Sequence, residues 1–480
     1  MEAEAHPLRF GVLAAYCASS FLCAGAWNTL SPIYGVAEAR FRVDAGAVTL
    51  VALSLFLTYV PGSLAALYVT ERYGLRVTLL LGATCQTAMC LLKWVGVALV
   101  TSPHGAYALV LAGQLVGGLG QPLVLNTVAR LTQDWFPVHE RDVATVVGYQ
   151  ASNAGAMLFN ALPAWLVKRP RDLSPLFLTQ LALWVPVLLA TGRLMPSDRP
   201  PSPPSAAAAL QWAQREAARA SLPPGTHAGA AALSSLLGDL RALSAHRSFR
   251  LLALGFSLTA GMSWALPTVE GQLICACGYS SRVAGGAGAA LLAAGVACCA
   301  ALAPLLRRPH AYLPLQRNLM LAAAAAAALL LAANRPLVAP LLMGAWALFG
   351  AAQGPLGPVT LAHAAELTYP LPADSSSAFL FIASNLVSFA QVSALQPLLA
   401  RPVSARCAAA ATPAAALVLA SMLAGAAAVF AMRPEQPAGC DAATGAALGG
   451  DFAADAVDAP MLTHAQRAAA NNQLQQTRFE

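Results

Sequence analysis

Four side chains able to recognise a small polar solute, Trp27, Gln121, Trp264 and Asn385, interrupt long apolar segments of this 480-residue chain. An indole face attracts a cation, a contact worth up to about 2 kcal/mol once water is excluded. Glutamine and asparagine add neutral hydrogen bonds for a hydroxyl or an amine. Such residue types suit a pocket for a small organic cation if the fold brings them to one cavity. The same types also serve as boundary anchors and packing residues in membranes, tryptophan above all. Ionisable residues inside apolar segments are costly and by default mark function. They are few here: Lys93, Glu270, His363 and Glu366. Lys93 falls near the end of its segment and is read as snorkelling to the boundary. Glu270 lies deeper, with no evident partner. His363 and Glu366 are three apart on one helix face and can hydrogen bond. Glu366 can equally cap or pair across the turn Leu367–Pro370 that follows it. So few buried acids speak against a proton-driven carboxylate relay. No nucleophile–base pair, phosphate loop or metal-ligand spacing is evident, so neither an enzyme nor a metal or cofactor is expected.

The elements that must position these residues are membrane helices. Hydrophobic residues make up 58% of the chain and charged ones only 10%, against roughly 25% charged in soluble domains. Apolar runs of about twenty residues recur, the length a helix needs to cross a bilayer, and helices satisfy every backbone group in hydrocarbon. The predicted spans are 10–36, 46–70, 76–101, 105–130, 142–167 and 174–194. After a polar stretch come 248–276, 283–306, 313–333, 336–365, 375–400 and 411–432. Cysteines within spans (Cys17, Cys23, Cys85, Cys90, Cys298, Cys299) are read as small hydrophobes, and Cys275 and Cys277 are too close together for a metal site.

The domain plan is therefore a short N-terminus (1–9), a six-helix half (10–194), a linker (195–246), a second half (247–432) and a disordered tail (433–480). Most of the 28 Lys and Arg residues fall on the side of the linker and termini, which the positive-inside rule places in the cytoplasm. Lys168, Arg169 and Arg171 run against that bias. The basic balance of +7 is thus explained by the membrane, and no nucleic-acid partner is expected. Pro200, Pro201, Pro203 and Pro204 break the linker, while Ala206–Ala220 has the composition of a helix lying along the cytoplasmic face. The tail is rich in Ala, Gly, Asp and Gln.

Six spans, a linker and six more spans resemble the major facilitator superfamily, an all-α polytopic fold of 12 transmembrane helices in two halves. Two similar loops fit that symmetry: Leu131-Thr132-Gln133-Asp134-Trp135-Phe136-Pro137 before Asn153, and Leu367-Thr368-Tyr369-Pro370 before Asn385. Glu71-Arg72-Tyr73-Gly74-Leu75-Arg76 resembles the superfamily's acidic-Arg-x-Gly-x-Arg loop, although Leu67 stands where a glycine is usual. The resemblance implies that Glu71, Arg72 and Arg76 clamp helix ends and set the conformational balance; Glu366, beside the turn Leu367–Pro370, is counted with them as a gating candidate.

A finer resemblance rests on Trp27…Tyr34-Gly35-Val36, Tyr59-Val60-Pro61, Gly74-Leu75-Arg76, Gly113-Gln114…Gly120-Gln121 and Trp135-Phe136. Most specific is Ala364-Ala365-Glu366-Leu367-Thr368-Tyr369-Pro370, followed by Ser375-Ser376-Ser377. These segments, over roughly residues 10 to 400, resemble the feline leukaemia virus subgroup C receptor family. Gln272–Ser281 is similar to a member whose substrate is unassigned. Better-known members carry choline and ethanolamine and were earlier described as haem exporters. By resemblance, Trp27 matches their cage tryptophan and Gln121 their span-four glutamine. Trp264 stands where they have tyrosine, Asn385 where they have glutamine, and Ser263 where they have phenylalanine. The implied function is facilitative, alternating-access transport of a small organic cation, as a monomer in a lipid bilayer, in the plasma membrane or that of an organelle. Two other readings stand beside it: a haem or porphyrin carrier using His363 and arginines, and a receptor or regulator that has lost transport.

Overall fold

The apolar runs form helices throughout the computed structural model, which describes residues 6–222, 227–306, 312–335, 338–368, 371, 373–399 and 412–432. The tail 433–480 and the turn residues Tyr369 and Pro370 lie outside the described residues. The helices of the first half are α1 (Arg9–Ala26), α2 (Tyr34–Phe41), α3 (Ala45–Tyr73), α4 (Leu75–Ala98), α5 (Pro103–Leu125), α6 (Val128–Trp135), α7 (Val138–Leu166) and α8 (Leu173–Leu194). The linker holds α9 (Ala206–Ala220) and α10 (Ala228–Ala245). The second half comprises α11 (Arg247–Cys275), α12 (Ser281–Leu306), α13 (Tyr312–Ala333), α14 (Ala339–Gln353), α15 (Leu356–Leu367), α16 (Ala373–Leu399) and α17 (Pro413–Phe430). Among the described residues, ten helical segments are long and apolar enough to cross a membrane. Polar α7 and interrupted α14–α15 complete the twelve spans.

Local chemistry sets the helix starts. Asp44, Ser102, Ser205 and Thr412 each accept a hydrogen bond from the backbone N–H three residues on, satisfying a donor that the first turn leaves open. The described cores fall into one large cluster, mostly of second-half residues but reaching Leu53, Leu55 and Phe56 of α3, and two within the first half. Lipid tails are as apolar as leucine, so helices associate here by close packing rather than by escape from water.

Three spans are broken where unbroken helices were expected. Span one stops at Ala26, passes through a short 3₁₀ turn at Ser31–Ile33 and resumes as α2, running to Phe41 rather than residue 36. Span four breaks between α5 and α6, and span ten between α14 and α15, at Gly354–Pro355. The linker also holds more structure than expected, since α10 packs against both α3 and α11. The bundle end carrying the linker is called the linker end below, and the opposite one the distal end.

Candidate functional site

The break in span one gives Trp27 its position. With the helix ending at Ala26, the carbonyls of Ala26 and Trp27 lose their intrahelical donors, which in hydrocarbon must be replaced. Span three supplies one, Lys93 Nζ to Ala26 O at 3.3 Å, and span four another, Gln114 Nε2 to Trp27 O at 3.1 Å. The half-buried Trp27 indole meets Phe56 of α3 edge-on at 5.9 Å between centroids. Trp264, also half-buried, stacks on Phe381 at 6.4 Å and 15°. Asn385 is buried and donates to the Phe381 carbonyl at 2.8 Å, so Trp264 and Asn385 meet through one residue of span eleven. Gln121 is 6% exposed, and its side-chain oxygen has no hydrogen-bond partner among the described residues. No described ring contact or hydrogen bond joins Trp27 or Gln121 to the Trp264–Asn385 pair.

Lys93 departs from expectation. It is 2% exposed and reaches inward to the Ala26 carbonyl, with its ammonium 5.8 Å from the Phe177 ring centroid. The snorkelling reading is wrong because the side chain is enclosed by neighbouring helices and its ammonium is held by a carbonyl at the end of the broken helix. Lys93, Gln114, Trp27, Thr49 and Gln272 line a small cavity on the distal side of Trp27, with a free volume of about 10 Å³, room for roughly one water.

The distal end is closed by polar contacts between halves that were not anticipated. Asn28 Nδ2 donates to Pro267 O at 2.9 Å and to Asn160 Oδ1 at 3.2 Å. Ser31 Oγ lies 2.8 Å from the carbonyls of both Pro267 and Thr268. A backbone carbonyl has two lone pairs, so Pro267 and Thr268 can accept these bonds in addition to their helical ones. Asn160 Nδ2 donates in turn to Glu270 Oε2 at 3.1 Å, giving Glu270 the partner that the sequence left unnamed. Gln272 Nε2 reaches Thr49 Oγ1 at 2.6 Å. Gly288 lets α12 pass this close, because a Cβ there would collide with Asn160 Nδ2 and Glu270 Oε2.

At the linker end, the loop expected to govern conformation sits in an ion-pair network. Glu71 pairs with Arg130 at 2.9 Å, and Arg130 also holds Asp134 at 2.7 Å. Asp134, whose side chain is 3% exposed, further accepts from Arg215 at 2.8 Å and Trp212 at 3.0 Å, both on α9. Burial pulls the Arg215 guanidinium below its ordinary pKa, an effect opposed by Asp134. Arg219 donates to the Glu71 carbonyl at 2.9 Å. Arg72 lies 2.8 Å from His227 Nδ1 at the start of α10. Arg76 is fixed by its backbone N–H to Asp198 at 2.8 Å and by Nε to Met195 O at 2.7 Å. Gly74, at φ 90°, adopts a left-handed conformation and leaves room for that Asp198 carboxylate. Three of the four expected gating residues, Glu71, Arg72 and Arg76, are thus tied to the linker, and Asp134 and Arg130 are members of that network that sequence reasoning missed. Glu366 lies exposed near the end of α15. His363 is nearly buried and its Nδ1 lies 2.8 Å from Gln316 Oε1, which commits a ring nitrogen to packing in the second half.

Two six-helix halves joined by a linker, with spans broken within the bundle, are the architecture of a known superfamily of membrane transporters. Residues 16–392 match the family model for the Major Facilitator Superfamily, and the chain belongs to that superfamily. It is a multi-pass integral membrane protein and not an enzyme. The chain is 27% identical over 392 residues to solute carrier family 49 member A3 of Danio rerio, covering 81% of this chain and 78% of the relative. It is 24% identical over 272 residues to the human choline/ethanolamine transporter FLVCR2, covering 55% and 48%. A crystal structure of a D-xylose–proton symporter superposes with a TM-score of 0.65 at 13% identity, over 89% of this chain and 98% of that one. That likeness concerns the fold.

Proposed function

We propose that this transporter carries a small organic cation of the choline or ethanolamine class by alternating access, and that it is a member of the feline leukaemia virus subgroup C receptor family. The observation that carries the reading is the placing of Trp27 and Trp264. Each lies in the first span of its half, each is half-buried, and each has a phenylalanine of its own half as ring neighbour. Walls of this kind offer π faces to an ammonium on both sides of a two-halved cavity. Gln121, with a buried and unpartnered oxygen, supplies an acceptor for a hydroxyl or N–H. Asn385 is the fourth member. The name of the human relative, a choline/ethanolamine transporter, agrees with this substrate class. Linker and termini face the cytoplasm in this reading, and the contacts that close the distal end exclude an outward-open conformation. Glu71, Arg72, Arg76 and Glu366 act on the conformational balance rather than on the substrate.

The test is uptake of radiolabelled choline, ethanolamine and haem into proteoliposomes of one preparation. Choline or ethanolamine should accumulate and haem should not. An aromatic face is worth about 0.5 to 2 kcal/mol to a cation, roughly two- to thirtyfold in affinity. Trp27→Leu should therefore lose most uptake, and Trp27→Phe should keep part of it. Normal choline uptake by Trp27→Leu would defeat the cage.

A further inference from the structure

Among the described residues, Lys93 is a buried cation that forms no ion pair. Its ammonium meets one carbonyl, Ala26 O at 3.3 Å, and a ring face of Phe177 at 5.8 Å. Both offer partial negative charge, and neither is a counter-charge. Taking an ammonium out of water costs several kcal/mol unless an opposite charge is provided. A shorter neutral donor could satisfy a single carbonyl at less cost, so the helix break alone does not account for a lysine here. The side chain forms part of the wall of the cavity beside Trp27, together with Thr49 and with Gln114, whose buried side-chain oxygen has no partner.

We propose that Lys93 is an anion subsite adjoining the aromatic cage, and that the transported solute is a zwitterion: an ammonium against Trp27, and a carboxylate or similar oxyanion against Lys93. This rests on the cage reading given above and moves the preferred solute from a bare cation to a zwitterion that carries the same ammonium head. A bare cation brought to Trp27 meets an uncompensated like charge, whereas a zwitterion supplies the missing partner and forms a charge-assisted hydrogen bond. Gln114 Oε1 offers an acceptor to a primary ammonium. The cavity now has room for about one water, so the oxyanion enters when the distal contacts between halves part.

Choline and glycine betaine share a trimethylammonium head and differ in a hydroxyl against a carboxylate, which isolates the question. In proteoliposomes of the full chain, betaine uptake should exceed choline uptake by roughly tenfold, the size of a charge-assisted bond. Lys93→Met should abolish that preference by lowering betaine uptake. Lys93→Arg, which keeps the charge, should retain the preference and covers the case in which the methionine variant fails to fold. Choline uptake insensitive to excess betaine and to Lys93→Met would overturn the subsite and leave the cage standing. An unchanged betaine-to-choline ratio in a folded Lys93→Met protein would also overturn it. Uptake of neither compound by the wild-type protein would defeat the cage reading and the subsite with it.

Discussion

Asn160→Ala should spring the distal closure. Asn160 stands at the centre of the contacts between halves, accepting from Asn28 at 3.2 Å and donating to Glu270 at 3.1 Å. It is 5% exposed, and Glu270 is fully buried. Truncation removes both bonds and leaves the Glu270 carboxyl without its described donor. Net hydrogen bonds contribute about 1 kcal/mol each, and orphaning a buried partner costs about 1–3 kcal/mol. These costs fall only on the closed state, because water satisfies the same groups once the distal end opens. A shift of roughly 2–3 kcal/mol toward the open state changes the ratio of conformations by about thirty- to a hundredfold. The assay is pulsed electron–electron resonance between spin labels at two exposed distal positions, His104 and Ser280, with native free cysteines replaced. Wild type should show one short distance. Asn160→Ala should show a second, longer one as a major population. A folded Asn160→Ala protein with the wild-type distribution would refute the view that this network holds the halves together.

The linker end yields two further predictions. Asp134→Asn removes the charge shared by Arg130 and Arg215, and because breaking a buried ion pair costs about 3–5 kcal/mol, it should lower the thermal midpoint and expose α9 to limited proteolysis. A variant as resistant as wild type would contradict the docking of α9. Arg72→Ala removes the contact with His227 at 2.8 Å, away from the cage, so it should slow turnover while leaving equilibrium substrate binding within a few-fold by calorimetry; complete loss of binding in a folded protein would refute this.

The spans could be read from the sequence because a run of apolar residues long enough to cross a bilayer has few other fates. Their interruptions could not. The break after Ala26 persists because Lys93 and Gln114, distant in sequence, donate to the freed carbonyls. Such donors become visible only when helices are packed. In hindsight, Asn28 and Thr29 after Trp27, Asn126 and Thr127 between α5 and α6, and Gly354–Pro355 in span ten are the local signs of those breaks. Lys93 was misjudged for the same reason: distance from a span's end says nothing about what a neighbouring helix offers. Glu71 was recognised from its loop, but Asp134, noted only as part of a repeated motif, showed no role until α9 brought Arg215 and Trp212 to it.

The attachment of α9 has a practical consequence for anyone who cuts or decorates this gene. By chain order α9 belongs to the linker, yet its arginines and tryptophan are spent on Asp134 and Glu71 of the first half. The second linker helix sits astride the two halves, with Asp239 accepting from Ser375 of α16 at 2.7 Å. A split gene or an inserted reporter domain therefore belongs between Leu222 and His227 rather than directly after α8. Cut there, the first fragment keeps the helix that covers Asp134, and the second keeps α10, whose packing on α3 gives two co-expressed pieces a surface on which to meet.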